Sequence, residues 1–183
     1  MQAVSETFCD VIVDTDGKLI SAAFHSNSGG QTQNSEDVWK IATSYLRAVS
    51  DTFSLGGRNF TWETKIPKKQ WVDYFITNYP YLASNPEKQK MICNFSQETR
   101  TRYILDSIPL RNIRTSFKLR SSFFSVSEDK DQVVLKGKGY GHGVGLSQEG
   151  AIRMVQIGKK AEEVIKFYYT GVNIVKYTEI LKF

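Results

Sequence analysis

Glycine occupies every second position from Gly137 to Gly145, inside the run GKGYGHGVGLSQEGA at 137–151. In an extended chain, side chains alternate between two faces. One face of such a strand is bare backbone, and Lys138, Tyr140, His142 and Val144 stand on the other. A glycine face lets the backbone approach a ligand or another strand closely, and glycine also admits turns with positive φ. A tight structural crossing and a ligand cradle both satisfy this pattern. Ser147 follows as the N-cap of a helix expected over 148–158. The unit thus reads as a glycine strand or loop delivering Tyr140 and His142 beside a helix N-terminus, where anions are favoured. Two phosphate cradles are excluded. After Gly141 and Gly143 the third glycine of a dinucleotide fingerprint falls on Leu146, and no Gly-Lys-Ser/Thr follows.

At 183 residues, with 40% apolar and 23% charged residues, the chain suits one domain with a proper core. The net charge of +5 is spread without blocks; it favours a polyanionic surface such as nucleic acid or an acidic cell wall only weakly, and no nucleic-acid partner is expected. No apolar run is long enough to cross a membrane, and no signal peptide is present. The opening MQAVSETF reads as entered partway through a helix, as if an export or anchoring segment preceded it. Cys9 and Cys93 lie far apart without metal-ligand spacing and are expected as two buried thiols, with no metal or cofactor.

Segments 9–13 and 19–24 flank an Asp-Thr-Asp-Gly-Lys turn and predict a β-hairpin. It feeds the polar loop 25–32, after which Ser35 is placed to cap a short helical turn. Residues 45–58 show little periodicity. Trp71, Phe75 and Tyr79 recur every four residues and predict a helix over 67–79 with Pro67 in its first turn; at that spacing the aromatic stripe is core rather than a glycan platform. The stretch 79–94 is the least legible, and 80–107 reads as a variable insertion. A strand is expected at 102–105, a short helix at 108–117, a strand pair 122–126 with 133–136 across an acidic turn, a helix over 161–170 closed by Gly171, and a last strand at 172–177. The fold class is α+β, a β-rich core of hairpins with several flanking helices.

Four blocks, AFHSNSGGQTQNSEDVW (23–39), SYLRAV (44–49), LRNIRTSFKLRSSFF (110–124) and the glycine run followed by KKAEEVIKFYYTGVNI (159–174), resemble the stage II sporulation protein D and amidase-enhancer family in order and over most of the chain. The resemblance implies one such domain over 1–183, a bacterial protein of the cell envelope or outside the cell, and action on peptidoglycan. The sporulation branch consists of lytic transglycosylases that cleave glycan strands, preferably denuded ones, and leave anhydro-muramic acid ends. Such proteins work beside a cell-wall amidase and hang from an N-terminal membrane anchor. The chemistry needs one carboxyl group, first acid and then base, because the muramic hydroxyl on the sixth carbon attacks intramolecularly. Ordinary glycosidases use two carboxylates. The family's catalytic glutamate lies in a segment upstream of the hairpin that this chain lacks, so it is carried onto no residue here; Glu6 lacks the surrounding motif. The chain is then either a trimmed enzyme or a non-catalytic glycan-binding module that enhances an amidase, and a purely structural envelope protein is the third reading.

The carboxylates nearest the glycine loop are Glu36, Asp37 and Glu149, each also explained as a helix-start charge. The two histidine loops are expected to meet and to line one sugar groove with His25, Ser26, Ser28, Thr32, Tyr140, His142, Ser147 and Gln148. Arg111 and Arg120 meet muramic carboxylates or form structural ion pairs.

Overall fold

The computed structural model describes residues 7–105 and 107–180. Glu6 and most of the opening MQAVSETF lie outside the described residues. The described elements form an α+β fold of small sheets and short helices. Its main sheet is antiparallel, with Gln132–Lys138 between Thr61–Pro67 and Phe124–Asp129. The expected hairpin is present and longer than its sequence signal. Val126 faces Leu135 and Asp129 faces Gln132, leaving Lys130 and Asp131 as the turn. Alternation in TWETKIP turns Trp62 and Ile66 inward while Thr61, Glu63 and Lys65 face out. The helix Lys68–Asn78 follows directly from Pro67 and buries Trp71 and Phe75 completely. Trp71 and Phe75 of the aromatic stripe are therefore core, the Trp71 indole donating to the Ile92 carbonyl at 3.0 Å, while Tyr79 at its end is only partly buried. Leu82, Ile92, Cys93 and Ile104, all from the stretch 80–107, belong to this same core.

A second apolar cluster gathers Leu46, Val144, Met154, Val164, Tyr168, Tyr169 and Val172 around the helices Gln148–Gln156 and Ala161–Tyr168. Ser147 caps the first of these as expected, its hydroxyl accepting from the Gly150 amide at 3.3 Å. The second helix ends at Tyr168, and Gly171 follows at φ +67.

Several expectations are corrected. The strand Asp10–Val13 pairs along its length with Asn173–Lys176, Val11 facing Val175. The predicted 9–13/19–24 hairpin is reduced to its base, with a bridge between Val13 and Leu19 and bonds from the Ile20 amide to the Ile12 carbonyl and from the Asp14 amide to the Lys18 carbonyl. The turn itself is sound: the Asp14 carboxylate accepts from the Asp16 and Lys18 amides, both at 2.9 Å. A two-stranded hairpin is marginal alone, and a C-terminal strand offers more packing. Ser35 is the first residue of the helix Ser35–Trp39, with Asn34 at the cap position. The Ser35 hydroxyl instead accepts from the Thr43 amide at 2.8 Å. Cys93 is a buried free thiol whose pKa burial raises, but Cys9 is exposed. The glycine run is not extended beyond Lys138. Gly139, Gly141, Gly143 and Gly145 all have φ between +70° and +117°, so the segment is a chain of turns.

Candidate functional site: the histidine loops and an arginine-lined groove

Those turns exist because a second backbone crosses them. A Cβ at position 145 would stand 2.1 Å from the Ala23 carbonyl oxygen, and one at 139 would stand 2.6 Å from that of Asn27. The 23–33 segment therefore runs against the glycine loop. The Tyr140 amide donates to the Asn27 carbonyl at 2.8 Å, the Leu146 amide to Ala23 at 3.0 Å, and the Gln33 amide to Gly143 at 2.7 Å. Phe24–His25 and Leu146–Ser147 pair as two short parallel strands.

This crossing brings the two histidine rings to 5.5 Å between centroids. His25 is buried, with Nδ1 3.1 Å from the Val144 carbonyl oxygen. A carbonyl only accepts, so Nδ1 carries the proton and Nε2 is a bare lone pair, without a hydrogen-bond partner among the described residues. Burial, then the Arg100 guanidinium and His142, pull the His25 pKa down to about 3. The Val144 amide donates to Nδ1 of His142 at 3.1 Å, which puts the His142 proton on Nε2. Burial lowers that pKa as well. Trp39, at the end of its short helix, stands 5.1 Å from the His142 ring and is 41% exposed.

Below Trp39 and His142 opens a cavity of about 480 Å³ that also takes in Tyr79, Arg111, Asn112 and Arg114. A narrow cleft adds Asp37 and Arg102 beside the same His142, Arg111 and Arg114. Arg111 and Arg114 lie three residues apart on the helix Leu110–Ser116 and so share a face. The cavity thus joins aromatic rings, amides and guanidinium groups, a set that stacks against sugar rings and hydrogen-bonds their substituents.

No family model matches the chain. Curated relatives do. An uncharacterized protein of Brachyspira hyodysenteriae is 30% identical over 99% of this chain and 50% of its own length. Stage II sporulation protein D of Bacillus subtilis is 28% identical over 90% of this chain and 50% of its own length. The amidase enhancer of Bacillus subtilis is 25% identical over 91% of this chain and 31% of its own length. The chain is similar to stage II sporulation protein D and to the amidase enhancer over most of its length. It spans about half the length of the first two relatives and less than a third of the enhancer.

Within this chain the candidate residues separate into two groups. His142 and Tyr140 reach the surface, Tyr140 44% exposed with the Arg120 guanidinium 5.7 Å from its ring centroid. Ser26 is half-buried and Gln148 exposed. Ser28, Thr32 and Ser147 do not line the groove; they are buried and tie the loops together. Ser28 donates to the Asp51 carboxylate at 2.8 Å, the Ser54 hydroxyl also donates to Asp51, and Ser54 and Ser147 share a 2.7 Å bond. Thr32 Oγ1 accepts from the Val49 amide at 2.8 Å. Asp51, fully buried at the centre of this network, went unread because it sits in an aperiodic stretch.

The acids separate too. Glu36 is paired with Arg47, whose Nη1 donates at 2.9 Å, and that bond holds its carboxyl down at about 2. Glu149 accepts from Asn27 Nδ2 at 2.8 Å and from Asn59 Nδ2 at 2.6 Å, bracing the helix Gln148–Gln156 against two loops. Asp37 alone of the three lines the cleft beside His142. Among the described residues Arg120 makes no ion pair, and its guanidinium lies instead against the Tyr140 ring. Trp39, Arg114 and Arg100 were missed as site residues, although the pair Arg111 and Arg114 was readable as one helix face. Among the described residues no cluster of three or more His, Cys, Asp or Glu side chains is arranged to hold a metal.

Proposed function

We propose that this chain binds glycan strands of bacterial peptidoglycan in the Trp39–His142 groove, and that it serves their cleavage by lytic transglycosylation to anhydro-muramic acid ends. The observation that carries the reading is the exposed Trp39 ring set beside His142 over a polar cavity of about 480 Å³. The kinship with stage II sporulation protein D supports the same chemistry. It also supports a place in the cell envelope. Asp37 is the carboxylate within reach of the groove, and it is the first residue to test as the acid.

A second reading has its own support. Glu36 is locked by Arg47 and Glu149 is spent on amide groups, so two of three acids are structural. A non-catalytic glycan-binding module that enhances a cell-wall amidase fits that finding, as does the amidase-enhancer relative.

Incubation of denuded strands with the chain, followed by mass spectrometry, separates the two. Anhydro-muramic products that vanish in Asp37→Asn support the enzyme. Strand binding without products supports the module. Trp39→Ala is expected to weaken strand binding about tenfold; undiminished binding in that variant overturns the groove.

A further inference from the structure

The two helices of the second apolar cluster differ on their outer faces. Ala161–Tyr168 buries Val164 and Tyr168 and turns charge outward, with Glu162 bonded to Lys166 and Glu163 to Lys159. Gln148–Gln156 buries Gly150 and Met154, yet Ile152 and Val155 on its outer side are 58% and 57% exposed. One exposed apolar side chain is ordinary; a group of them beside a cleft marks a contact surface. Here the cleft is present. Glu149, Ile152, Arg153 and Gln156, spaced i, i+3, i+4 and i+7, form one wall. The loop 53–58 forms the other with Phe53, Leu55 and Arg58, and a cavity of about 480 Å³ lies between them. Leu55 is 52% exposed.

The walls are fixed in place. A Cβ at position 57 would stand 2.1 Å from Glu149 Oε2, so Gly57 lets the loop seat directly against the helix. Glu149 accepts from Asn27 Nδ2 at 2.8 Å and from Asn59 Nδ2 at 2.6 Å, which ties the helix to the loop side. Phe53 is held edge-to-face by Phe167, with ring centroids 5.4 Å apart. Glu149 is the one carboxylate among the described residues of the lining, and its oxygens are already occupied. The charge offered to an entering group is therefore that of Arg58 and Arg153.

We propose that the cleft between Gln148–Gln156 and the loop 53–58 docks a segment of a partner protein, one that presents apolar side chains with acidic residues beside them. The apolar side chains pack on Leu55, Ile152 and Val155, and the acids meet Arg58 and Arg153. A second copy of the chain fits less well, because a two-fold contact centred on this face sets the arginines of one copy against those of the other. A lipid surface fits a protruding face, and this one is concave. The cleft shares no lining residue with the Trp39–His142 groove, so it stands whether or not that groove takes glycan.

The probe is a phage-displayed library of random peptides of about 12 residues, enough for three helical turns, selected on the folded chain. Recovered peptides are expected to carry apolar residues with Asp or Glu beside them. A synthesised representative is expected to lose about tenfold in affinity on Ile152→Glu, which removes an apolar contact and repels the acid. Arg153→Glu is expected to favour a copy of that peptide with Lys in place of its acids. Leu55→Asp, on the opposite wall, repeats the Ile152→Glu loss should the helix variant fail to fold, as thermal melts report. Peptides that bind the two variants as they bind the unaltered chain overturn the cleft as a docking face. Peptides without acids, or none recovered at all, overturn the acidic partner. Sedimentation showing a dimer that Ile152→Glu dissociates overturns it in favour of a second copy. Binding to phosphatidylglycerol vesicles that Ile152→Glu abolishes overturns it in favour of a membrane surface. Glycan-strand affinity is expected to be unchanged in Ile152→Glu; its loss there would join this face to the glycan groove and overturn its separate role.

Discussion

His25 Nδ1 lies 3.1 Å from the carbonyl oxygen of Val144, and this bond fixes which form of the ring the fold accepts. The proton is held on Nδ1, Nε2 faces no donor, and a second proton would have to enter a buried site near Arg100 and His142.

The sign of the resulting pH dependence follows from the lowered pKa. The unfolded ring titrates near about 6.5 and the folded one at about 3. The stabilising effect of a neutral ring is thus complete above the unfolded value and is lost as pH falls from there toward the folded one. Between about pH 7 and about pH 5 the fold is expected to lose about 2 kcal/mol through this residue. Urea unfolding at the two pH values measures it. His25→Asn, which keeps a donor for Val144 but cannot titrate, is expected to flatten the difference; an unchanged slope in that variant would place the acid sensitivity elsewhere.

The glycine loop makes a graded expectation about its own residues. A Cβ at position 145 meets the Ala23 carbonyl oxygen at 2.1 Å, and φ there is +70°. Both the crossing and the turn must give way, so Gly145→Ala is expected to cost several kcal/mol, about 3 or more. Gly56 has the same sign of φ, at +71°, but nothing within 4 Å. Gly56→Ala therefore loses only the conformational term, about 1 kcal/mol. Thermal melts of the two variants side by side check this. Similar losses in both would mean that contact at the crossing contributes nothing.

Asp51 is expected to matter more than its surface neighbours. Its carboxylate accepts from the Ser28 hydroxyl at 2.8 Å, from the Ser54 hydroxyl and from the Ser54 amide at 3.2 Å, all in the interior. Asp51→Ala leaves those donors without an acceptor and is expected to cost about 3 kcal/mol. The denaturant midpoint should fall with little change in slope. Ser147→Ala removes a cap and one link of the network and is expected to cost about 1–2 kcal/mol. An Asp51→Ala midpoint equal to that of the unaltered chain would remove the network from the account of stability.

Periodic segments were the legible part of this fold. The four-residue recurrence of Trp71 and Phe75, the acidic turn between 122–126 and 133–136, and Ser147 ahead of its helix each name one local geometry. Long-range partners were not legible. Asp10–Val13 has the composition of a hairpin strand, and its actual mate lies at the far end of the chain. The glycine alternation was legible as close approach but not as turns, since extended and left-handed glycine leave the same trace in sequence. The serines of 25–32 read as sugar ligands because hydroxyls serve both surfaces and interiors; only Asp51, brought in from an aperiodic stretch, shows which. That the histidine blocks meet was expected from their content, and the arginine groove beneath them needed the fold.

Glu149 and Glu36 are expected to be supports rather than catalytic groups. Glu149 accepts from Asn27 Nδ2 at 2.8 Å, Asn59 Nδ2 at 2.6 Å and the Asn59 amide at 3.2 Å. It lines a separate cavity with Leu55, Arg58 and Ile152. Glu149→Gln puts an NH₂ where one of these donors points, and a cost of about 1–2 kcal/mol is expected from the mismatch. Glu36→Gln loses a solvent-screened pair with Arg47, a change expected to leave stability nearly unaltered. Neither variant is expected to alter glycan affinity or product formation once the protein is folded. Strand-binding isotherms and product analysis check both. Loss of products in Glu36→Gln, with the fold and strand binding intact, would return that carboxylate to the chemistry despite its arginine.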